Sequence, residues 1–297
     1  MASMLLKAAY PYGLFGDGPT CKGQFGKQGF RGDELYWPWY CDISNTGDVA
    51  IADTDNDRIQ VFNSSTFTSI FPPFGGKGSG PDCLRSPRSV KFSTIPGTSL
   101  AVADTGNRRI SLLRINFQLG KLEHAFSFGS TILQEPSDVA IDRRNGNILV
   151  VDSALNKVFI FSSCGELIGE VEQRGFTFKN PSGVTVTHDG KSDVYVSDTG
   201  NHCLRRFSCN GDYLGVLGSL GCQEGQFNCP RGVSVDRRGY IFVSDEQNNR
   251  VQMFTPDLAH MTTAISGVPL PKGVCAGLEL IVTTADQLNF VKVYRSC

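Results

Sequence analysis

The sequence predicts an all-β fold, a six-bladed β-propeller with four antiparallel strands in each blade. Three observations carry that expectation. A charged cluster returns five times, as "IADTDNDRIQVF" (51–62), "VADTGNRRISLL" from Val102, "VVDSALNKVFIF" from Val150, "VSDTGNHCLRRF" from Val196 and "VSDEQNNRVQMF" from Val243. A second landmark keeps pace, because Pro38, Pro87, Pro136, Pro181, Pro230 and Pro271 each open a short apolar run. The prolines lie 41 to 49 residues apart and the cluster aspartates 46 to 51 apart, so six units account for the 297 residues. A regular period of this length must be read before any single motif.

Each unit reads as four short strands. "GVSVDRRG" alternates and ends in a turn, and "YIFVSD" is a buried strand ending in the repeat Asp. After "EQNNR" come "VQMF" and a weaker strand that leads into a glycine-rich connector. Period-two alternation bounded by Gly, Asn and Asp is the strand-and-turn signature, and helical spacing over ten or more residues is absent. A propeller must close, since an open ring leaves sheet edges that template aggregation. The sixth unit stops at Cys297 one strand short, while "LLKAAYPYGLFG" and "TCKGQFG" precede the first unit unmatched. Residues 1–24 are therefore expected to supply the outer strand of blade six, and 1–297 to form a single propeller. "MASM" reads as a remnant of expression.

Composition limits the function classes. The net charge of −1 gives no whole-molecule attraction to a polyanion. No apolar stretch reaches about 18 residues, so no membrane span is expected, and the propeller is expected to be monomeric. The ten cysteines include no C-x-x-C pair and fall at different places in different units. They are expected to be reduced, as in a cytoplasmic protein. Asn63-Ser64-Ser65 is a glycosylation sequon that matters only in a secreted chain.

A catalytic constellation occurs once per active site, whereas the acidic cluster is built five times. Asp53, Asp104, Asp152, Asp198 and Asp245 are therefore read as structural turn residues, each accepting backbone N–H groups two or three residues on. Gly106 and Gly200 are expected at positive φ. The basic residue five positions after the Asp (Arg58, Arg109, Lys157, Arg250) is expected to pair with a carboxylate, with Cys203 standing there in blade four and Thr284 replacing the Asp in blade six.

These residues also carry a family likeness. "DTDNDRIQVF", "DTGNRRI" and "DTGNHCL", with their "FG…G…G…P.GV" connectors, resemble the NHL repeat over nearly the whole chain. The resemblance implies the C-terminal propeller of a tripartite-motif NHL protein, in the muscle-maintenance branch of that family. Such proteins carry an N-terminal RING that makes them ubiquitin ligases, so this chain would recruit protein partners or ubiquitination substrates and perform no chemistry of its own. The location implied is cytoplasmic and sarcomere-associated. The alternative is RNA binding in mRNA repression, through the same face.

That face holds the loops between second and third strands together with the connectors. Its charges sum to about zero, a poor start for phosphate contacts. Candidate partner-binding residues are Tyr36, Trp37 and Trp39 of "WPWYC", with Arg58, Lys77, Arg88, Arg109, Arg231, Arg250 and Lys272. Phe30, Phe176 and Phe178 could stack bases, and Trp, Tyr and Arg equally dominate protein hot spots. A metal-dependent lyase or lactonase would need several ligands around the tunnel. Only His188 ends an inner strand, with Asp138 as its one companion, so no metal, cofactor or catalytic residue is expected.

Overall fold

The computed structural model describes residues 19–188, 190–258, 261–277, 280–285 and 289–295. Among them are 24 strands in six four-stranded antiparallel sheets, which is the predicted propeller. Strand β1 (Thr20–Phe25) comes before any complete blade. Blade one is β2 (Pro38–Ile43), β3 (Asp48–Asp53), β4 (Arg58–Asn63) and β5 (Phe74–Gly75). Blade two is β6 (Ser89–Phe92), β7 (Leu100–Asp104), β8 (Arg109–Asn116) and β9 (Lys121–Phe128). Blade three is β10 (Pro136–Ile141), β11 (Ile148–Asp152), β12 (Lys157–Phe161) and β13 (Leu167–Glu170).

Blade four is β14 (Val184–Val186), β15 (Val194–Asp198), β16 (Cys203–Phe207) and β17 (Tyr213–Leu217). Blade five is β18 (Pro230–Val235), β19 (Ile241–Asp245), β20 (Arg250–Phe254) and β21 (Met261–Ser266). Blade six is β22 (Pro271–Ala276), β23 (Leu280–Ala285), β24 (Phe290–Arg295) and, outermost, β1. Thr20 faces Arg295 and Phe25 faces Val291, so the two ends of the chain share one sheet. The "LLKAAYPYGLFG" part of the closing segment lies outside the described residues.

The first strands of successive blades abut in a closed circle, and β22 meets β2. The core follows from this arrangement. Six apolar clusters occupy the six blade-to-blade interfaces, each combining residues of two neighbouring sheets. The second strands are buried on both faces, which is why "ILVVD" and "LAVAD" read as unbroken apolar runs. Near the axis the inner strands come close enough to exclude side chains. A Cβ on Gly183 would lie 2.3 Å from the Arg231 carbonyl of blade five.

The register moves one sequence assignment. Pro38 faces Asp53 and Pro230 faces Asp245, and in blade six Pro271 faces Ala285. Ala285, one residue beyond Thr284, thus holds the repeat-Asp position, and Phe290 holds that of the arginine. Thr284 instead receives the Gly273 N–H and donates to the Trp39 carbonyl, tying blade six to blade one.

Deleting residues 1–25 would remove buried Phe25 and leave β24 as an open edge. Thermal unfolding is expected to fall by about 10 °C or more. An unchanged midpoint would show that β1 does not close the ring.

Candidate functional site

Each letter of the repeat acquires a physical role on the face that carries the Asp loops. The carboxylates of Asp53, Asp104, Asp198 and Asp245 are fully buried and accept backbone N–H groups from the connector that enters their own blade. The donors are Tyr36 at 2.7 Å, Arg85 at 2.8 Å, Lys179 at 2.9 Å and Asn228 at 2.7 Å. The expected bond to an N–H a few residues on occurs only in blade three, where Leu155 donates to Asp152. Elsewhere a short 3₁₀ turn follows the Asp and turns those amides away.

The asparagine three residues after the Asp donates both to the carboxylate and to a connector carbonyl. Asn56 reaches the Gly29 oxygen, Asn107 that of Gly78 and Asn248 that of Gly221. The threonine just after the Asp crosses to the next blade. Thr54, Thr105 and Thr199 donate to the carbonyls of Pro87, Pro136 and Pro230 at 2.7–2.8 Å. Positive φ falls on the residue after the asparagine, at Asp57, Arg108, His202 and Asn249. Gly106 and Gly200 are absent from that region and serve close approach instead, since a Cβ would lie 2.7–2.8 Å from the Arg85 or Lys179 carbonyl.

One latch had gone unread in the sequence. The residue before each inner-strand proline is itself at positive φ in five blades, as at Trp37, Ser86, Asn180, Cys229 and Leu270. Its N–H is held by the left-handed residue of the preceding blade: Asn289, Asp57, Asn156, His202 and Asn249 respectively. The signal was an Asp, Asn or His four places after the repeat Asp, a position that sequence reasoning passed over.

The basic residues divide into three groups. Arg58, Arg109 and Arg250 each place Nε 2.7–2.8 Å from the repeat Asp and spend their outer nitrogens on connector carbonyls. Their guanidiniums are pins within the blade. In blade four Arg205, two residues beyond Cys203, takes over this bond at 3.0 Å. Lys157 pairs with Glu170 at the outer edge instead. Burial pushes the Asp53 and Asp104 carboxyls above their usual range even with these donors in place. Such pairs set geometry more than they add stability.

A second group rings the axial mouth, one residue after each proline. Trp39 sits between Arg88 and Lys272, each 4.8 Å from an indole ring centroid. Arg88 pairs with Glu135, while Arg231 and Lys272 share Glu246, which replaces the latch threonine in blade five. Below this ring the Tyr40 side chain is buried. Its hydroxyl is held above the ordinary phenol range by burial and by Asp138. Asp138 is bound by Ser89 and by the N–H groups of Val139 and Val184. It lies apart from His188, which is exposed at the opposite mouth.

The third group, Lys77, Arg85 and Arg108, is exposed and has no carboxylate partner among the described residues. The aromatics split as well. Phe178 is core, with Phe176 packed on Phe207, Tyr213 and the Arg205 guanidinium. Phe30 is 74% exposed and Trp37 40%, with Tyr36 edge-on to Phe30 at 5.7 Å. Among the described residues this is the one aromatic patch that blade packing does not consume.

Residues 178–207 and 227–254 match the NHL repeat. Blades four and five therefore carry NHL repeats. Human E3 ubiquitin-protein ligase NHLRC1 is 28% identical over 197 residues, covering 63% of this chain and 47% of that protein. The Drosophila melanogaster protein brain tumor is 30% identical over 148 residues, 50% of this chain and 13% of its own length. Rat E3 ubiquitin-protein ligase TRIM71 is 48% identical over 50 residues, 15% of this chain and 6% of that one. The match therefore spans about half or less of each relative. A gluconolactonase of Xanthomonas campestris superposes with a TM-score of 0.68 at 13% identity, over 94% of this chain and 95% of that one, which shows the shared fold alone.

Two substitutions test the roles assigned here. Arg109→Ala leaves a buried carboxylate uncompensated and is expected to cost about 3–5 kcal/mol by denaturant unfolding; a loss under 1 kcal/mol would mean the pin is dispensable. Burial alone would raise the Glu246 carboxyl, but Arg231 and Lys272 outweigh it and hold it below the usual range. A carboxyl lowered on folding contributes stability above its unfolded value near pH 4.5, lost as pH falls through the folded value. Glu246→Gln should destabilise the protein at pH 7 by about 3 kcal/mol and flatten the acid limb of stability against pH. Identical acid limbs would remove Glu246 from that role.

Proposed function

We propose that this NHL propeller is the partner-recruiting platform of a larger protein with ubiquitin-ligase activity, and that it binds protein through the loop face around blade one. No bond chemistry is assigned to the propeller itself. The observation that carries the reading is the fate of the basic residues. Six of the seven cationic candidates are engaged within the fold: Arg58, Arg109 and Arg250 on the repeat aspartates, Arg231 and Lys272 on Glu246, Arg88 on Glu135. Cations already paired release few counterions to a nucleic acid. What the face offers is the Phe30, Tyr36 and Trp37 patch, and beside it a Trp39 indole held rigid by two cations. Rigid aromatics that lose little entropy are the anchors of protein interfaces. The similarity to two ubiquitin ligases supports the setting.

RNA binding keeps one specific observation in its favour, the exposed Lys77, Arg85 and Arg108 around the blade-two connector, with no carboxylate partner among the described residues. Three phosphate contacts would give a modest salt slope.

Both readings are tested together. The propeller, wild type and Phe30→Ser/Trp37→Ala, is used to capture ubiquitinated proteins from the parent's tissue, and is titrated with a random RNA pool at 50 and 200 mM salt. Partners lost in the double variant, with RNA binding weak, support recruitment. Selective RNA binding that weakens steeply with salt and vanishes in Lys77→Ala/Arg85→Ala/Arg108→Ala would replace it. Ala variants of Arg231 or Lys272 are unsuitable, because they strand Glu246.

A further inference from the structure

The turns between first and second strands lie on the face opposite the Asp loops, and there the axis opens into a cavity of about 420 Å³. Its wall is assembled from blades far apart in sequence. The β10–β11 turn supplies Arg143, the β14–β15 turn His188 and the β18–β19 turn Arg237. Lys22 of β1 and Arg295 at the end of β24 complete it from blade six. Blade one contributes the turn Ser44-Asn45-Thr46-Gly47, with Ser64 and Ser65 beside it. Among the described residues no Asp or Glu lines this cavity.

The contrast with the other mouth is chemical. On the Asp-loop face the cations near the axis are matched by Glu135 and Glu246. Here Arg143 and Arg237 are exposed and make no ion pair among the described residues. A smaller cavity beneath holds Lys91 and Asp42 and is also lined by Arg143 and His188. Burial works against the Lys91 charge, yet Asp138 and Asp42 outweigh it, so the lysine is held charged and its positive end is shared with two carboxylates. Positive charge still exceeds negative from the floor to the rim, in a chain whose net charge is −1. Gathering like charges at one concavity opposes folding unless an anion joins them. A concave wall also focuses the field on what enters.

We propose that this cavity is a binding site for a small organic phosphate, with the phosphoryl oxygens on Arg143 and Arg237 and a hydroxyl-bearing body along the Ser44–Gly47 turn. Guanidinium groups present planar paired donors that match phosphate oxygens. The turn adds side-chain hydroxyls and the Asn45 amide, which exchange hydrogen bonds with a polyol. Ser44 and Thr46 are already oriented by each other and by Asp48. The volume falls within the roughly 300–1,000 Å³ typical of small-molecule sites, too small for a folded partner or a duplex to fit inside. The site is independent of the partner face, being at the other end of the axis.

The test is calorimetric titration of the purified propeller with inorganic pyrophosphate, then with inorganic phosphate and citrate, at 50 mM salt. Saturable one-to-one binding of pyrophosphate is expected. It should weaken at least tenfold in Arg143→Gln/Arg237→Gln and in Asn45→Asp, which places a negative charge on the turn. Both changes are at exposed positions, so thermal midpoints should match wild type, and Trp37→Ala should bind pyrophosphate normally. Absence of saturable binding, or binding unchanged in both variants, overturns the proposal. Citrate binding more tightly than pyrophosphate overturns the assignment to phosphate.

Discussion

One carboxylate per blade carries a disproportionate share of the architecture. In blades one, two, four and five the repeat Asp sits at the end of the second strand, at the level where the connector passes overhead. It accepts one connector N–H, the amide of an asparagine and the Nε of an arginine. In blades one, two and five the arginine in turn collects connector carbonyls that have no strand partner. A glycine-rich connector has many backbone polar groups and few side chains to satisfy them. The Asp–Asn–Arg set satisfies them from beneath, so the connector can be short of regular structure and still be rigid. Blade three makes do with backbone donors alone, and blade six places Ala285 there and leans on Thr284 and Asn289 instead.

Because the carboxylates and arginines are consumed in this way, the surface that remains is sparse and legible. The loop face keeps an aromatic patch at blade one, a cation–indole–cation stack at the mouth and three exposed cations at blade two. The deletion and the Glu246 substitution bear on the frame, while the aromatic double variant bears on the surface, so frame and function can be separated experimentally. The two mouths of the axis differ in the same terms. One is charge-matched, and the other gathers cations with no Asp or Glu lining the cavity among the described residues.

Much of the fold was present in the chain as a period. Strand alternation, the six prolines and the five Asp loops require nothing beyond local pattern, and closure by the N-terminal strand follows from counting strands. The site was legible only in outline. Tyr36, Trp37 and Trp39 stood out as bulk where other units have small residues, and the spacing of Arg58, Arg109 and Arg250 from the repeat Asp pointed to their carboxylate partners, but not to their service to the connector. Their role depends on carbonyls some 24 to 30 residues away in the connector. Phe176 and Phe178 likewise look like stacking residues until Phe207 and Tyr213 fold against them.

Two cysteines show the same limit from the other side. Cys41 and Cys275 lie 234 residues apart in the sequence, yet the meeting of blades one and six puts their sulfurs 3.3 Å apart. By itself the sequence determined what local chemistry can determine: the strand pattern, the repeat number, the turn positions and the near-neutral charge. The tertiary structure alone decided which charges are spent and which are exposed. It likewise decided which blades face one another across the axis, and it built the cationic cavity from Lys22, Arg143, Arg237 and Arg295. The physical reason is that ring closure brings together residues separated by as much as the whole chain, and no local periodicity encodes which side chains will then be within a hydrogen bond of each other.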